Sequence, residues 1–367
     1  MFLKKIKLTN FRNFSHVDLE FPQTTLLVGK NAQGKSNLLE AISFLATARS
    51  TRTETEQQLI KQGESYCLIE GEIEENSELK EKEEREVTRL EIGMQVKPGL
   101  EGLEKRVKVN GVPRRVMDYL GHLVVVYFAP ENIFLVAGPP ALRRSFMDTA
   151  LSQVDKQYKR ALNSYSATLT ARNKLLKRIQ EGQAEISELE FWTGELVKWG
   201  SMISTKRREL FISLNDQVRR LKLIPGSMGK FRFIYEENVI SESRIREYQP
   251  REIGACATLI GPHRDDFTFM MDGHNLAFFG SRGEQRTAVL ELKLAELHFI
   301  TEVLGTKPVL LLDDIFSELD MDHRDYVIGV ISSQQSIISA VESEPIPEEF
   351  LKSVKLVHVQ EGKLQDS

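Results

Sequence analysis

Cysteine is nearly absent from the 367-residue chain, which has only Cys67 and Cys256, far apart and without His or Cys neighbours at metal spacing. That excludes a disulfide-stapled scaffold or a Cys-based zinc site and leaves two small apolar residues expected in a core, in a reducing cytoplasm. No run of about 18 apolar residues occurs, so no membrane span is expected. The opening MFLKKIKLTNF has basic residues but no long apolar stretch before a cleavage site, unlike a secretory signal. Internal repeats and low-complexity tracts are missing too. Tryptophan is scarce: Trp192 and Trp199 lie seven apart on one helical face, a spacing that fits a core better than a base-stacking platform.

An excess of positive charge is also lacking. The net charge of −4 argues against a uniformly basic nucleic-acid binder. The charge is uneven, however. Residues 141–222 carry 16 Lys and Arg against 9 Asp and Glu, an excess of seven, which leaves −11 on the rest. An electropositive lobe on an acidic body fits a polyanion footprint. A long, solvated helical face fits equally well, because Lys and Arg are good helix formers.

What is present begins with Gly29-Lys30-Asn31-Ala32-Gln33-Gly34-Lys35-Ser36, which fits G-x-x-x-x-G-K-[ST]. The glycines let the backbone turn tightly and aim several N–H groups at one phosphate. Lys35 adds a point charge near the β- and γ-phosphates, and Ser36 supplies a hydroxyl for Mg²⁺. The apolar run 24–28 (TTLLV) reads as a buried strand before the loop. Residues 37–46, from Asn37 (NLLEAISFLA), read as the helix after it, whose N-terminal dipole favours the same anion.

Strands are expected over 2–8, 15–21, 66–73 and 87–96, with Asn110-Gly111 in KRVKVNGVPRR marking a hairpin. The polar stretch 74–85 reads as a solvated loop. From 141 to about 224 the apolar spacing changes to three and four, the mark of long helices turning at Gly182, and Pro225-Gly226 closes them. A strand over 231–235 and an α/β portion from Thr258 follow. The pattern predicts a nucleotide-binding body interrupted by a helical insertion.

VLLLDDIF at 309–316 is a buried-strand run ending in two carboxylates. Asp313 is placed to hold Mg²⁺ and Asp314 to polarise an attacking water. A third motif, Ser281-Arg282-Gly283-Glu284-Gln285-Arg286, opens a helix leading into that strand, and Ser281, Gly283 and Gln285 read as a second anion cradle. One nucleotide does not need two γ-phosphate cradles from one chain. A head-to-tail homodimer does, each chain closing the other's site.

Together these motifs resemble the ABC-type ATPase head, and within that class the RecF family of bacterial recombinational-repair ATPases related to SMC proteins. The resemblance runs almost end to end. It includes NFRNF at 10–14, FAPE at 128–131, RRSFMD at 143–148, GPHRDD at 261–266 and LLLDDIFSELD at 310–320. It implies an α/β fold: a P-loop ATPase head of mixed sheet with an antiparallel β-subdomain, over 1–135 and 250–367. A mainly helical lobe, 136–249, is inserted in it as the candidate DNA-binding region.

The resemblance further implies ATP and Mg²⁺ as cofactors, with residues 29–37, Asp313 and Asp314 at the triphosphate, and Arg12 and Asn13 beside the phosphates or base. Ser281, Gly283 and Gln285 act across the dimer, with Ser317 to Asp320 at the interface. The implied function is ATP-dependent binding of gapped or junction DNA, single- and double-stranded, with RecR as partner and RecO and RecA reached through it. Two family features are missing. Glu131 or Asn132 stands where a Gln is usual, and Val341-Glu342-Ser343 where a His is usual, which favours a weak, DNA-dependent ATPase acting as a slow switch. His263 reads as a structural histidine.

Charge alone nominates Lys206, Arg207, Arg208, Arg172, Lys174, Lys177 and Arg178 as DNA contacts. Arg52, in the Arg49-to-Arg52 stretch, is a further candidate, or equally a cation against a helix end. A small-molecule P-loop kinase leaves the 281–285 motif idle. A transporter ATPase head does not accommodate so long a helical insertion.

Overall fold

The computed structural model describes residues 1–50, 52, 53, 55–74, 86–97, 102–221, 231–317, 321–341 and 348–366. Of the solvated loop expected over 74–85, Glu74 instead ends a strand and 75–85 lie outside them, as do the Pro225-Gly226 break, Glu318 to Asp320, and Glu342-Ser343. Up to residue 132 the elements are β1 (Phe2–Phe11), β2 (Phe14–Glu20), β3 (Thr24–Val28), α1 (Lys35–Thr47), β4 (Tyr66–Glu74), β5 (Val87–Val96), β6 (Leu103–Val109), β7 (Val112–Arg114), α2 (Val116–Tyr119) and β8 (Val125–Phe128). Then come α3 (Phe134–Ala137), α4 (Pro140–Val154), α5 (Lys156–Gln180), α6 (Leu189–Leu221), β9 (Phe231–Glu236), α7 (Glu242–Ala255), β10 (Asp266–Met271), β11 (His274–Asn275) and α8 (Leu276–Phe279). Last are α9 (Arg282–Leu304), β12 (Val309–Asp313), α10 (Met321–Ser332), β13 (Ser336–Ala340), α11 (Glu348–Leu351), β14 (Lys355–Gln360) and β15 (Lys363–Asp366).

The chain divides into two compact units. The first holds Met1–Asn132 and Glu296–Ser367, the second Ile133–Lys222 and Ser227–Ala295. The first contains an antiparallel sheet ordered β2-β1-β4-β5-β6-β7 and a second sheet ordered β15-β14-β3-β13-β12-β8. In the second sheet every pairing is parallel except β14 with β15. Helix α1 touches β1, β4 and β5 of one sheet and β8, β12 and β13 of the other. That position explains a helix apolar nearly all round: Leu38, Leu39, Ala41, Ile42, Phe44 and Leu45 are all fully buried. The β6–β7 turn has positive φ at both Asn110 (51°) and Gly111 (76°), the backbone that Asn-Gly favours.

In the second unit α5 and α6 form a long helical hairpin that turns at Gly182 (φ 72°), and β9, β10 and β11 form a small antiparallel sheet. The second domain boundary differs from the expected one at 249/250. Strand β9 pairs with β10 from Phe231↔Met271 to Glu236↔Asp266, and α7 packs on α5, so residues 250–295 belong to the second unit. The 281–285 motif moves with them. Cys67 is buried, and burial pushes its thiol up to about 12; Cys256 is half-buried rather than fully buried, in a left-handed turn (φ 50°) ending α7. Among the described residues, no helix is long and apolar enough to cross a membrane.

Candidate functional site

The sheet positions the loop. β13 lies between β3 and β12, pairing Ala340↔Val28 on one side and Ser339↔Asp313 on the other. The ends of three parallel strands therefore meet at one edge, where α/β sheets bind ligands. Residues 29–34 link β3 to α1. Gly34 has φ 120°, and a Cβ on it would lie 2.6 Å from Asn13 Nδ2 and 3.0 Å from Phe14 Cζ; a Cβ on Gly29 would run into the Val359 carbonyl oxygen. No acidic residue stands in the first turn of α1 and no side chain caps it, so that end suits an anion.

Lys35, only 7% exposed, donates from Nζ to the carbonyl oxygens of Gly29 (2.6 Å) and Lys30 (3.1 Å). Ser36 Oγ donates to Asp313 Oδ1 at 2.8 Å, so residues 277 positions apart meet at one point. Asp313 is 3% exposed and takes two more donors: Ser339 Oγ on Oδ1 (2.6 Å) and Tyr127 Oη on Oδ2 (3.0 Å). Burial and then Asp313 push the Tyr127 phenol well above its usual range, so it stays a donor. Asp314 turns the chain away from the strand with φ 53°, and its N–H donates to Ser339 Oγ (3.0 Å).

The oxygen set fits Mg²⁺. No cluster of three or more His, Cys, Asp or Glu able to hold a metal occurs among the described residues. A cation here would take Ser36 and Asp313 and complete its shell with water and phosphate, as Mg²⁺ does.

Arg12 and Asn13 form the tip of the β1–β2 hairpin, between the paired Phe11 and Phe14. Asn13 Nδ2 donates to the Gln33 carbonyl (3.0 Å) and its Oδ1 accepts from Asn37 (2.9 Å), so it braces the loop. Arg12 is committed to protein acceptors: Glu40 Oε2 (3.0 Å) and Oε1 (2.9 Å), and the Gln58 carbonyl (3.1 Å). Glu40, the one carboxylate within α1, is buried and also accepts from Ser50 Oγ at 2.7 Å.

Arg52, a DNA candidate by charge, lies among carboxylates with its side chain 25% exposed. Its guanidinium lies 3.7 Å from Glu40 and 3.6 Å from Glu131. Burial opposes its charge, but Tyr127, Glu131, Glu40 and Asp313 hold it above the usual range. Asn132 Oδ1 accepts from the Ala129 N–H (3.0 Å), closing its own turn.

In the second unit Ser281 opens α9 as a capping box. Its N–H and Oγ both donate to Glu284 Oε2 at 2.8 Å, and the Glu284 N–H donates back to Ser281 Oγ (3.3 Å). Ser281, Arg282 and Gly283 are exposed. Gln285 instead turns inward, donating to the carbonyls of Leu276 (2.9 Å) and Gly280 (3.3 Å), so its amide shapes the cradle rather than facing solvent. Beside the cradle, Phe278 and Phe279 are 80% and 74% exposed.

The basic lobe also needs correction. Arg172 is fully buried, with NH2 2.6 Å from Glu252 and NH1 donating to Thr258 Oγ1 (2.8 Å). Arg207 is buried too. It donates to Tyr158 Oη (3.1 Å), Asp148 (2.8 Å), Asp265 (2.8 Å) and the Pro262 carbonyl (2.7 Å). Neither can reach a DNA phosphate, because both side chains are enclosed within the unit, 1% and 2% exposed.

Arg143 binds both oxygens of Asp266 (2.5 and 2.8 Å), so the 143–148 and 261–266 motifs are two halves of one buried network. Lys206 lies 3.2 Å from Asp155 and Arg208 3.2 Å from Glu237. Lys174, Lys177 and Arg178 remain exposed along α5. His263 is structural as expected, bonded to Tyr165 Oη (2.6 Å) and the Thr258 carbonyl (3.0 Å), and burial pushes its pKa down. Trp192 packs on the Leu175–Leu176–Leu189 cluster, whereas Trp199 is half-buried and donates to Glu195 (2.8 Å).

Sequence motifs missed Tyr127, Ser339 and Glu40. A lone acid in an all-round apolar helix was the available signal for Glu40; the other two become visible only through strand pairing.

The sequence model of the family described as RecF/RecN/SMC N terminal domain matches residues 2–365. The DNA replication and repair protein RecF of Agathobacter rectalis is 34% identical, over 100% of this chain and 99% of its own length. That of Bacillus mycoides is 36% identical, over 99% and 98%. A solved structure of the recombination mediator protein RecF with ATP, in the RecFOR pathway, superposes with TM-score 0.88 at 31% identity, covering 100% of this chain and 97% of that one. An SMC head domain from Pyrococcus furiosus, 17% identical with TM-score 0.51 over 100% and 96% of the two chains, shares the fold.

Proposed function

The chain belongs to the RecF family of SMC-like DNA replication and repair proteins, and on that premise we propose that ATP closes two copies of it head to tail on DNA. ATP with Mg²⁺ lies on residues 29–37, with Lys35 on the β- and γ-phosphates and Ser36 and Asp313 on the cation. Asp314 assists a slow hydrolysis that reopens the dimer. Ser281 and Gly283 of one copy complete the site of the other, and Gln285 holds the backbone that leads into them at Leu276 and Gly280. The observation that carries the reading is the 2.8 Å contact between Ser36 and Asp313 at the strand ends, beside Lys35. Phe278 and Phe279 support the dimer, since exposed aromatics beside a cradle are the composition of an interface core.

In this reading the protein acts in gap repair, working in the cytoplasm with RecR and RecO toward loading RecA at junctions. DNA phosphates meet Lys174, Lys177 and Arg178, now without Arg172 and Arg207. Changing Lys174 and Lys177 together to alanine is expected to reduce the slope of log affinity against log salt by about two. An unchanged slope in fluorescence anisotropy moves the DNA surface elsewhere.

ATP affinity and dimerisation are linked in this scheme. Ser281→Arg should bind ATP normally as a monomer yet no longer dimerise with ATP in light scattering. Ser281→Asp keeps a capping oxygen while setting a carboxylate against the triphosphate, so it should behave the same with the helix intact. ATP-driven dimers from both variants would sink the trans-cradle reading.

A further inference from the structure

Asp313 meets three hydroxyls that are not equivalent. Ser36 and Ser339 both donate to Oδ1, whereas Tyr127 holds Oδ2. The terminal torsion of an aspartate is broad and two-fold, so the plane of the carboxylate is set by whatever holds its second oxygen. Tyr127 reaches it from β8, whose pairing Leu311↔Tyr127 and Leu312↔Phe128 with β12 fixes where the ring starts. The residues that follow on the same loop do not take this role: Glu131 pairs with Arg52, and Asn132 closes the turn at Ala129.

We propose that Tyr127 is a positioning residue of the nucleotide site, its phenol holding the Asp313 carboxylate so that Oδ1 faces Ser36 and the divalent cation carried with the nucleotide. This rests on the nucleotide reading above. When Ser36 Oγ turns from the carboxylate to a cation, Oδ1 loses one donor. Tyr127 and Ser339 then keep the plane in place. Groups that orient a ligand in this way typically cost about 10–100-fold in metal affinity when removed.

Tyr127→Phe deletes one oxygen and keeps the ring. The probe is Mn²⁺, titrated by electron paramagnetic resonance into the full chain with a non-hydrolysable ATP analogue. Mn²⁺ affinity is expected to fall about 10–100-fold, while analogue affinity in EDTA and the melting temperature without nucleotide stay at wild-type values. Unchanged Mn²⁺ affinity overturns the proposal. So does an equal loss of EDTA-phase nucleotide affinity and melting temperature, which would make Tyr127 a packing residue. Asp313→Asn tells the two failures apart: if it too keeps wild-type Mn²⁺ affinity, the nucleotide reading itself falls.

Discussion

Lys35→Met is expected to weaken ATP binding by about 30-fold or more while leaving the fold intact. The ammonium donates to the carbonyl oxygens of Gly29 and Lys30, both neutral acceptors. Methionine matches the stem in length but has neither charge nor donor. Truncating one partner of a buried, hydrogen-bonded charge pair costs roughly 2–5 kcal/mol of binding, which corresponds to about 30-fold to several thousand-fold in Kd. Losing the carbonyl contacts in the free protein costs up to about 1.5–3 kcal/mol for each bond from the charged ammonium. Calorimetric titration measures the first effect and thermal unfolding the second. ATP at a hundred times its Kd stabilises a wild-type fold by about 2.7 kcal/mol, so at the same ATP concentration the ATP-induced rise in melting temperature should fall to about a third or less in the variant. ATP-dependent retention of DNA should fall with it. A variant that still binds ATP with wild-type affinity removes the nucleotide from residues 29–36.

The loop, its strand and its helix were legible because their signals are local: a buried run, glycines at fixed spacing, and an apolar helix. The same holds for β12, which opens the buried run seen at 309–316. What surrounds Asp313 was not legible, because parallel pairing brings Tyr127 and Ser339 to it from 186 and 26 positions away. The arginines failed differently. Arg172 lies in step with Tyr158, Tyr165, Thr168, Leu175 and Leu176, all buried on one face of α5. Arg207 is in step with Leu196, Ile203, Leu210 and Leu214 on α6, and Gln285 with Ala288, Val289 and Leu292 on α9. Helical position had already put these three side chains inside, but charge outweighed it for the two arginines and the motif for Gln285. The carboxylates that make the burial tolerable, Glu252 and Asp265, lie 80 and 58 positions away and carry no local mark.

Arg207→Met is expected to destabilise the second unit by about 3–5 kcal/mol, the cost of breaking a buried ion pair from one side. The arginine is 2% exposed and its partner Asp265 is 0% exposed. Without Arg207, Asp265 keeps the Tyr235 hydroxyl and the Asn238 N–H (2.8 Å) but loses its ion-pair partner, and Asp148 keeps the Tyr158 hydroxyl (2.5 Å). Lysine will not substitute, because a single ammonium cannot span Tyr158, Asp148, Asp265 and the Pro262 carbonyl as the planar fork does. Most of the loss comes from the stranded carboxylate, so Arg207→Met combined with Asp265→Asn should recover part of it, with a coupling energy within about 0.5–3 kcal/mol. Denaturant unfolding followed by the fluorescence of Trp192 and Trp199, both in this unit, reads the relevant transition. Because Arg207 is enclosed, the folded variant should keep the wild-type salt slope for DNA. A stable Arg207→Met protein with a reduced slope would put the guanidinium back on the DNA surface and undo the buried network that joins the 143–148 and 261–266 motifs.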